Sequence, residues 1–297
     1  MGSRTLLQAR YVFGVLAFFA LMLLPVLPAT GPSGSSGGLR GLAQAADLPI
    51  FPGLDMLSLQ PVSLTHGMGL RVGAGPAFEP DYEGSDDYDA VPLIMARLDW
   101  SGGPYVEFLG NRIIANMMTS DTWEIGPLLR YRSSRSCVSD SRVDDLSRVD
   151  GSMELGAMVG YKLDPWHARA TFAQDFADGH DGYLIRFGAG WSESFNDLFR
   201  LSVDGFVSYA SDDYMEAYYE VSPGDAARSG LSTYEAGSNV KDLGLLGTLD
   251  YSLTENLNVV TILGYVRLIG DAEDSPVVDD RGDPNQIFGG LMLTYGF

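Results

Sequence analysis

The chain has 297 residues, with 39 acidic against 19 basic side chains, a net charge of −20 and one cysteine. Such an acidic chain repels phosphate backbones, which excludes nucleic acid as a partner, and Cys137 has no second cysteine for an intrachain disulfide. A mean hydropathy of +0.03 is too low for a bundle of membrane helices, but it fits a barrel in which every second residue meets lipid.

Arg4 and Arg10 flank the start of the apolar run Tyr11–Leu27, and Ala43-Gln44-Ala45 follows as a small-x-small site. This order reads as a secretory signal peptide over residues 1–45, cleaved after Ala45, with a retained anchor helix as the alternative. Its loss removes Arg4, Arg10 and Arg40, so the mature chain is more acidic still. Residues 46–66 read as a periplasmic N-terminal lead-in, mobile over the Pro-containing stretch Leu48–Leu64.

From residue 67 to 297 the sequence alternates. Met153, Leu155, Ala157, Val159 and Tyr161 interleave with Glu154, Gly156, Met158, Gly160 and Lys162; Tyr183–Trp191 and Phe199–Tyr209 behave alike. Period two is the signature of a strand, whose successive side chains point to opposite faces. Strands are predicted at 68–78, 88–99, 104–109, 112–117, 122–132, 151–163, 166–177, 182–193, 199–210, 243–253, 256–268 and 286–297. Every second connection is short, as at Asp164-Pro165 and Thr254-Glu255, while Glu79–Asp87, Ser133–Asp150, Ser211–Asp242 and Ile269–Asn285 are long and polar. Short turns on one side and long loops on the other belong to an all-β, antiparallel transmembrane β-barrel. The expected barrel has about 12 strands with both termini periplasmic. If the short pair around Gly110-Asn111 is one irregular strand, the even count fails, and ten strands with this segment folded elsewhere is the alternative. No helical pattern is read in the mature region.

The last strand runs to Phe297, with Ile287, Leu291, Leu293, Tyr295 and Phe297 on one parity. It should descend from the last long loop and pair with the first strand near Met68–Phe78, closing the barrel. More than half of the acids lie in the long loops, giving an acidic rim. Lumen-parity charges are nearly balanced: Arg71, Arg97, Arg130, Lys162, Arg169, Arg186 and Arg200 face Glu124, Glu154, Asp175, Asp204 and Asp250. Such charges are expected to cross-pair and partly fill the lumen. An acidic rim over an open lumen would instead concentrate cations.

The chain has three histidines, His66, His167 and His180. Asp178-Gly-His180, facing Asp86-Asp87 or Asp212-Asp213 at the barrel mouth, could activate water in a hydrolase if the groups met. Metal-ligand clusters, phosphate-cradling glycine loops and cofactor motifs are not evident, so no catalytic residue, metal or cofactor is assigned.

Several segments resemble the MipA/OmpV family, the MltA-interacting protein-like outer-membrane proteins. They are Gly73–Ser85 with Pro80, Tyr82, Gly84 and Ser85, then Val91-Pro92-Leu93. Gly264–Pro276 with Gly270, Asp271, Ser275 and Pro276 follows, then Asn285–Leu291 and Tyr295–Phe297. The resemblance implies a barrel of the Gram-negative outer membrane, in contact with its lipid and lipopolysaccharide and inserted by the barrel-assembly machinery. Gly290, Leu293, Tyr295 and Phe297 resemble the C-terminal recognition signal for that machinery. It also implies, for some members, a scaffold joining a lytic transglycosylase to a peptidoglycan synthase, and for others adhesion or antibiotic uptake. No catalytic residues carry over. The expected function is a non-enzymatic scaffold in cell-wall (murein) remodelling or a surface protein. Alternatives are a narrow cation-favouring channel for small solutes or antibiotics and, remotely, the Asp178/His180 hydrolase.

Overall fold

The computed structural model describes residues 51–57, 59, 67–195 and 198–297. The expected signal peptide, its cleavage at Ala45 and the rest of the lead-in lie outside the described residues. Twelve antiparallel strands form one closed barrel in which each neighbours the next in sequence and β1 meets β12. They are β1 (Met68–Pro80), β2 (Tyr88–Trp100), β3 (Tyr105–Leu109), β4 (Arg112–Asn116), β5 (Trp123–Arg132) and β6 (Ser152–Leu163). The rest are β7 (Trp166–Asp175), β8 (Tyr183–Phe195), β9 (Phe199–Ala210), β10 (Asn239–Ser252), β11 (Leu257–Leu268) and β12 (Asn285–Gly296).

The alternation decides what faces in. On β12, Gln286, Phe288, Met292 and Thr294 are buried, while Ile287, Leu291, Leu293 and Tyr295 are exposed. Aromatic pairs sit near both ends of this apolar exterior. Trp123–Tyr161, Phe195–Phe199 and Tyr295–Phe297 lie at the short-turn end, and Phe78–Tyr88 and Phe172–Tyr183 at the long-loop end. Such paired girdles mark the two membrane interfaces. β8 has 13 residues; at about 3.3 Å per residue and a tilt of about 40°, that is a rise of about 33 Å, enough for a bilayer core.

The doubtful hairpin is two strands, β3 and β4, of five residues each. Both pair with the turn-side part of the wall, Leu109 opposite Met95 and Tyr105 opposite Asp99. They are too short to span a bilayer, for which roughly 9–11 residues are needed. Instead Val106, Ile113 and Ala115 bury themselves with Trp100, while Glu107 and Arg112 turn inward.

β10 begins four residues earlier than predicted, because a register shift between Val240 and Asp242 keeps a polar Lys-Asp pair within the strand. The long loops also contain helices that the sequence pattern did not suggest: α1 (Ser141–Asp144), α2 (Asp212–Tyr219), α3 (Pro223–Ser229), α4 (Asp271–Asp274) and α5 (Pro276–Asp279). They are short enough to be set by their ends. α3 has a Ser222/Asp225 capping box, Pro at its start and Gly230 in the left-handed region after it.

Candidate functional site

The described part of the lead-in lies inside the barrel. Phe51–Leu57 and Leu59 lie within the lumen, Leu54, Asp55, Met56 and Leu57 each at most 2% exposed. The reason is composition: Phe51, Leu54, Met56, Leu57 and Leu59 would expose apolar surface in water, and here they join the main core cluster. Phe51 stacks on Phe288 at 5.1 Å. Gly53 makes the turn at φ 81°, where a Cβ would also lie 2.3 Å from the Phe206 ring. Gly188 on β8 leaves room for Met56, whose sulfur would stand 2.6 Å from a Cβ there.

Asp55 fixes this segment electrostatically. Its carboxylate accepts from Arg130 Nη2 at 2.9 Å, from Thr171 Oγ1 at 2.6 Å and from Arg186 Nη1. Arg169 Nη1 donates to the carbonyls of Asp55 and Leu57 at 3.0 and 2.8 Å. The donors come from β5, β7 and β8, so a rigid wall holds a segment that has no strand partner of its own. Around it the expected cross-pairing is present: Arg130 and Arg132 share Glu154, Arg169 and Lys162 share Glu124, and Arg71 meets Asp250. Arg97 binds both Asp99 and Glu107, and Arg112 also binds Glu107.

At the long-loop end the connections fold onto one another. Lys241, fully buried, meets Glu83 and Asp242, and the Tyr214 hydroxyl donates to Glu83 at 2.7 Å. Burial would raise the Glu83 carboxyl, but Lys241 and Arg132 hold it down at about 2. Burial pushes the Tyr214 and Tyr219 phenols well up, so both stay protonated. Tyr82, Val143, Leu146, Val221, Leu231 and Val277 form a second apolar cluster here.

The Pro80–Ser85 loop meets the end of the last long loop because β1 and β12 are neighbours. Gly84 N donates to Gln286 Oε1 at 3.2 Å, Ser85 bridges to Gly282, and the Tyr82 hydroxyl donates to the Arg281 carbonyl at 3.2 Å. Ser275 Oγ donates to the Tyr219 carbonyl at 2.6 Å, and Asp271 accepts from Gly237 N at 2.9 Å. Pro276 is buried at the start of α5, and Gly270 precedes α4 at φ 58°. Pro80 ends β1. These residues tie loops together.

His180 and Asp178 do not form a pair open to the mouth. The His180 side chain is fully buried, with Nε2 3.2 Å from Glu154 and Nδ1 accepting from Gly182 N at 3.1 Å. Asp178 is exposed, in the left-handed region at φ 56°. With both ring nitrogens engaged in the wall, His180 has no free nitrogen for a water at the mouth.

At the short-turn end a cleft of about 180 Å³ is lined by both signs of charge, Lys162, His167, Arg169 and Arg200 together with Asp121, Glu124 and Asp164. His167 Nε2 lies 2.5 Å from Asp204. The C-terminal residues sit on the exterior, with Leu293 and Phe297 exposed. Phe297 N donates to the Leu70 carbonyl at 2.8 Å, and Gly290 pairs with Ala77.

Sequence reasoning missed Asp55, Arg112, Arg132, Glu107 and the buried Lys241. An available signal was the apolar spacing around Asp55, in a segment too hydrophobic to be left in water.

A closed antiparallel barrel with an apolar exterior, aromatic girdles and a charged interior is an outer-membrane β-barrel. The family described as "MltA-interacting protein MipA" matches residues 72–297, and the chain belongs to it. It is similar to the "Putative outer membrane protein YiaT" of Escherichia coli (strain K12), 24% identical over 216 residues, covering 71% of this chain and 85% of that protein. Among solved structures it resembles the COG4313 outer membrane channel from Pseudomonas putida F1 (TM-score 0.43, 13% identity, 81% of this chain and 100% of that one). It also resembles the translocator domain of the autotransporter NalP from Neisseria meningitidis (TM-score 0.42, 12% identity, 87% and 94%). The protein resides in the outer membrane.

Proposed function

We propose that this barrel is a non-enzymatic scaffold, closed to bulk flow, that presents its short-turn end to murein-remodelling enzymes in the periplasm. The observation that carries the reading is the lumen filled by the chain's own Phe51–Leu57 and Leu59. The folded long loops add to it, since Lys241 and its partners stand over the other mouth. The family's description, MltA-interacting protein, supports a murein enzyme of the lytic transglycosylase class as one partner, with a peptidoglycan synthase as the other. In this orientation both termini are periplasmic, the acidic loops face outward toward lipopolysaccharide, and Leu293, Tyr295 and Phe297 are read by the barrel-assembly machinery.

Two measurements test the reading. The refolded full mature chain should give no stable conductance steps in planar bilayers, and it should retain a lytic transglycosylase in a pull-down from periplasmic extract. Stable steps together with no retained enzyme would leave a channel as the function.

A further inference from the structure

The site that holds Asp55 has more donors than this one side chain uses. Arg130 and Arg186 supply guanidinium groups and Thr171 a hydroxyl, all from the barrel wall. Arg112 lies near enough for its charge to act on Asp55. Its Nε and Nη1 make no hydrogen bond among the described residues, although the side chain is only 1% exposed. Arg130 has a second carboxylate in Glu154, whereas Arg186 otherwise donates, among the described residues, to the Ser208 hydroxyl at 2.9 Å. Without Asp55, Arg186 would be left without a carboxylate partner in its hydrogen-bond set. A buried guanidinium without an acceptor is strongly unfavourable.

The host and its guest differ in how they are built. The donors sit on β4, β5, β7 and β8, each locked in the ladder. Among the described residues, the backbone-to-backbone hydrogen bonds of the Asp55 segment stay within it: Leu54 to Phe51, Met56 to Gly53 and Leu57 to Leu54. It is a tethered segment that inserts one carboxylate into a preformed cage.

We propose that this cage is a carboxylate-binding site of the barrel, filled in the closed state by Asp55 and available to a small carboxylic-acid anion when the segment withdraws. Two guanidinium groups and a hydroxyl converging on two oxygens match a planar carboxylate. The approach is from the short-turn end, where Lys162, His167, Arg169 and Arg200 line the cleft with Asp121, Glu124 and Asp164, and Arg169 also grips the segment. Emptied of Asp55, the cage turns the uncompensated charge of Arg130 and Arg186 to the lumen, which favours anions rather than the cations suggested by the acidic rim. The inference is independent of any murein enzyme, so the pull-down can fail while it stands, and the reverse.

The test uses the full mature chain carrying Asp55→Ala, with formate as the probe and chloride at equal ionic strength as the control. Formate should raise the thermal unfolding midpoint of the variant but not that of the unchanged chain, and Asp55→Ala with Arg186→Gln should lose most of that rise. In planar bilayers Asp55→Ala should conduct more often than the unchanged chain, with a reversal potential toward anions that formate shifts. Equal midpoints in formate and chloride, or a reversal potential toward cations, would overturn the proposal. If Asp55→Ala does not refold in chloride, refolding in formate supports the site. Failure in both passes the question to Asp55→Asn, which keeps the side chain's volume; cation-directed or unchanged conductance there overturns it.

Discussion

Lys241 meets two carboxylates and no solvent. Its ammonium touches Glu83 and Asp242 and lies 5.7 Å from the centre of the Tyr214 ring. Replacing it by methionine keeps much of the volume but leaves two acids buried beside each other. Breaking a buried pair in this way costs roughly 3–5 kcal/mol, so Lys241→Met should lower the unfolding midpoint well below that of a surface Lys→Met control. Acid should act on the same contact. The Glu83 carboxyl is held at about 2 in the fold against about 4.3 in an unfolded chain. A lowered folded value means the stabilisation is fully present above the unfolded value and is lost as pH falls from there through about 2. Pepsin nicking of the loop between β9 and β10 should therefore increase across that window, and Lys241→Met should be nicked already at its upper edge.

The element that closes the barrel is β12, and its end combines two roles. Tyr295 and Phe297 pack ring to ring at 4.8 Å on the exterior, and Phe297 adds one backbone hydrogen bond to β1 at Leu70. Deleting Phe297 removes one backbone hydrogen bond and one ring contact, a loss of about 2 kcal/mol, which the long β1–β12 pairing can absorb. If Phe297 is also the assembly label, the deletion should reduce the heat-modifiable form in outer membranes several-fold while in-vitro refolding stays near normal. Equal losses in both would make the residue merely structural. The strands were legible because lipid enforces period two wherever one face is apolar and the other is not. Where that pressure ends, so did the reading: Asn239–Asp242 looked like loop because it carries a Lys-Asp pair whose further partner, Glu83, lies across the mouth. Nor does α2, eight residues long, have the several turns that a helical period needs to show in sequence. The segment around Asp55 was misplaced for a related reason. Its apolar residues have no periodic partner in sequence, and their partners Phe206, Gly188 and Phe288 come together only once the barrel closes.

For the molecule as a whole, the closed mouth and the filled lumen share one polar chain. Glu83 feels Arg132, Arg132 shares Glu154 with Arg130, and Arg130 holds Asp55. His180 adds a third contact to Glu154, and the Arg132 guanidinium lies 5.0 Å from the Tyr214 ring centre on α2. Groups in one buried network couple, whereas distant independent groups add. Asp225 provides the contrast, since its carboxylate serves Ser147, Ser222 and Arg228 within the loops. Double-mutant cycles on the unfolding midpoint separate the cases. Asp55→Asn with Glu83→Gln should show a coupling of about 0.5 kcal/mol or more, while Asp55→Asn with Asp225→Asn should be additive within about 0.5 kcal/mol. With that coupling, withdrawal of the Asp55 segment should also loosen the loops, seen as faster pepsin nicking in Asp55→Asn than in Asp225→Asn at a pH above the Glu83 window. Additivity in both cycles would mean that the two closures are independent, and that releasing the lumen segment alone leaves the outer mouth shut.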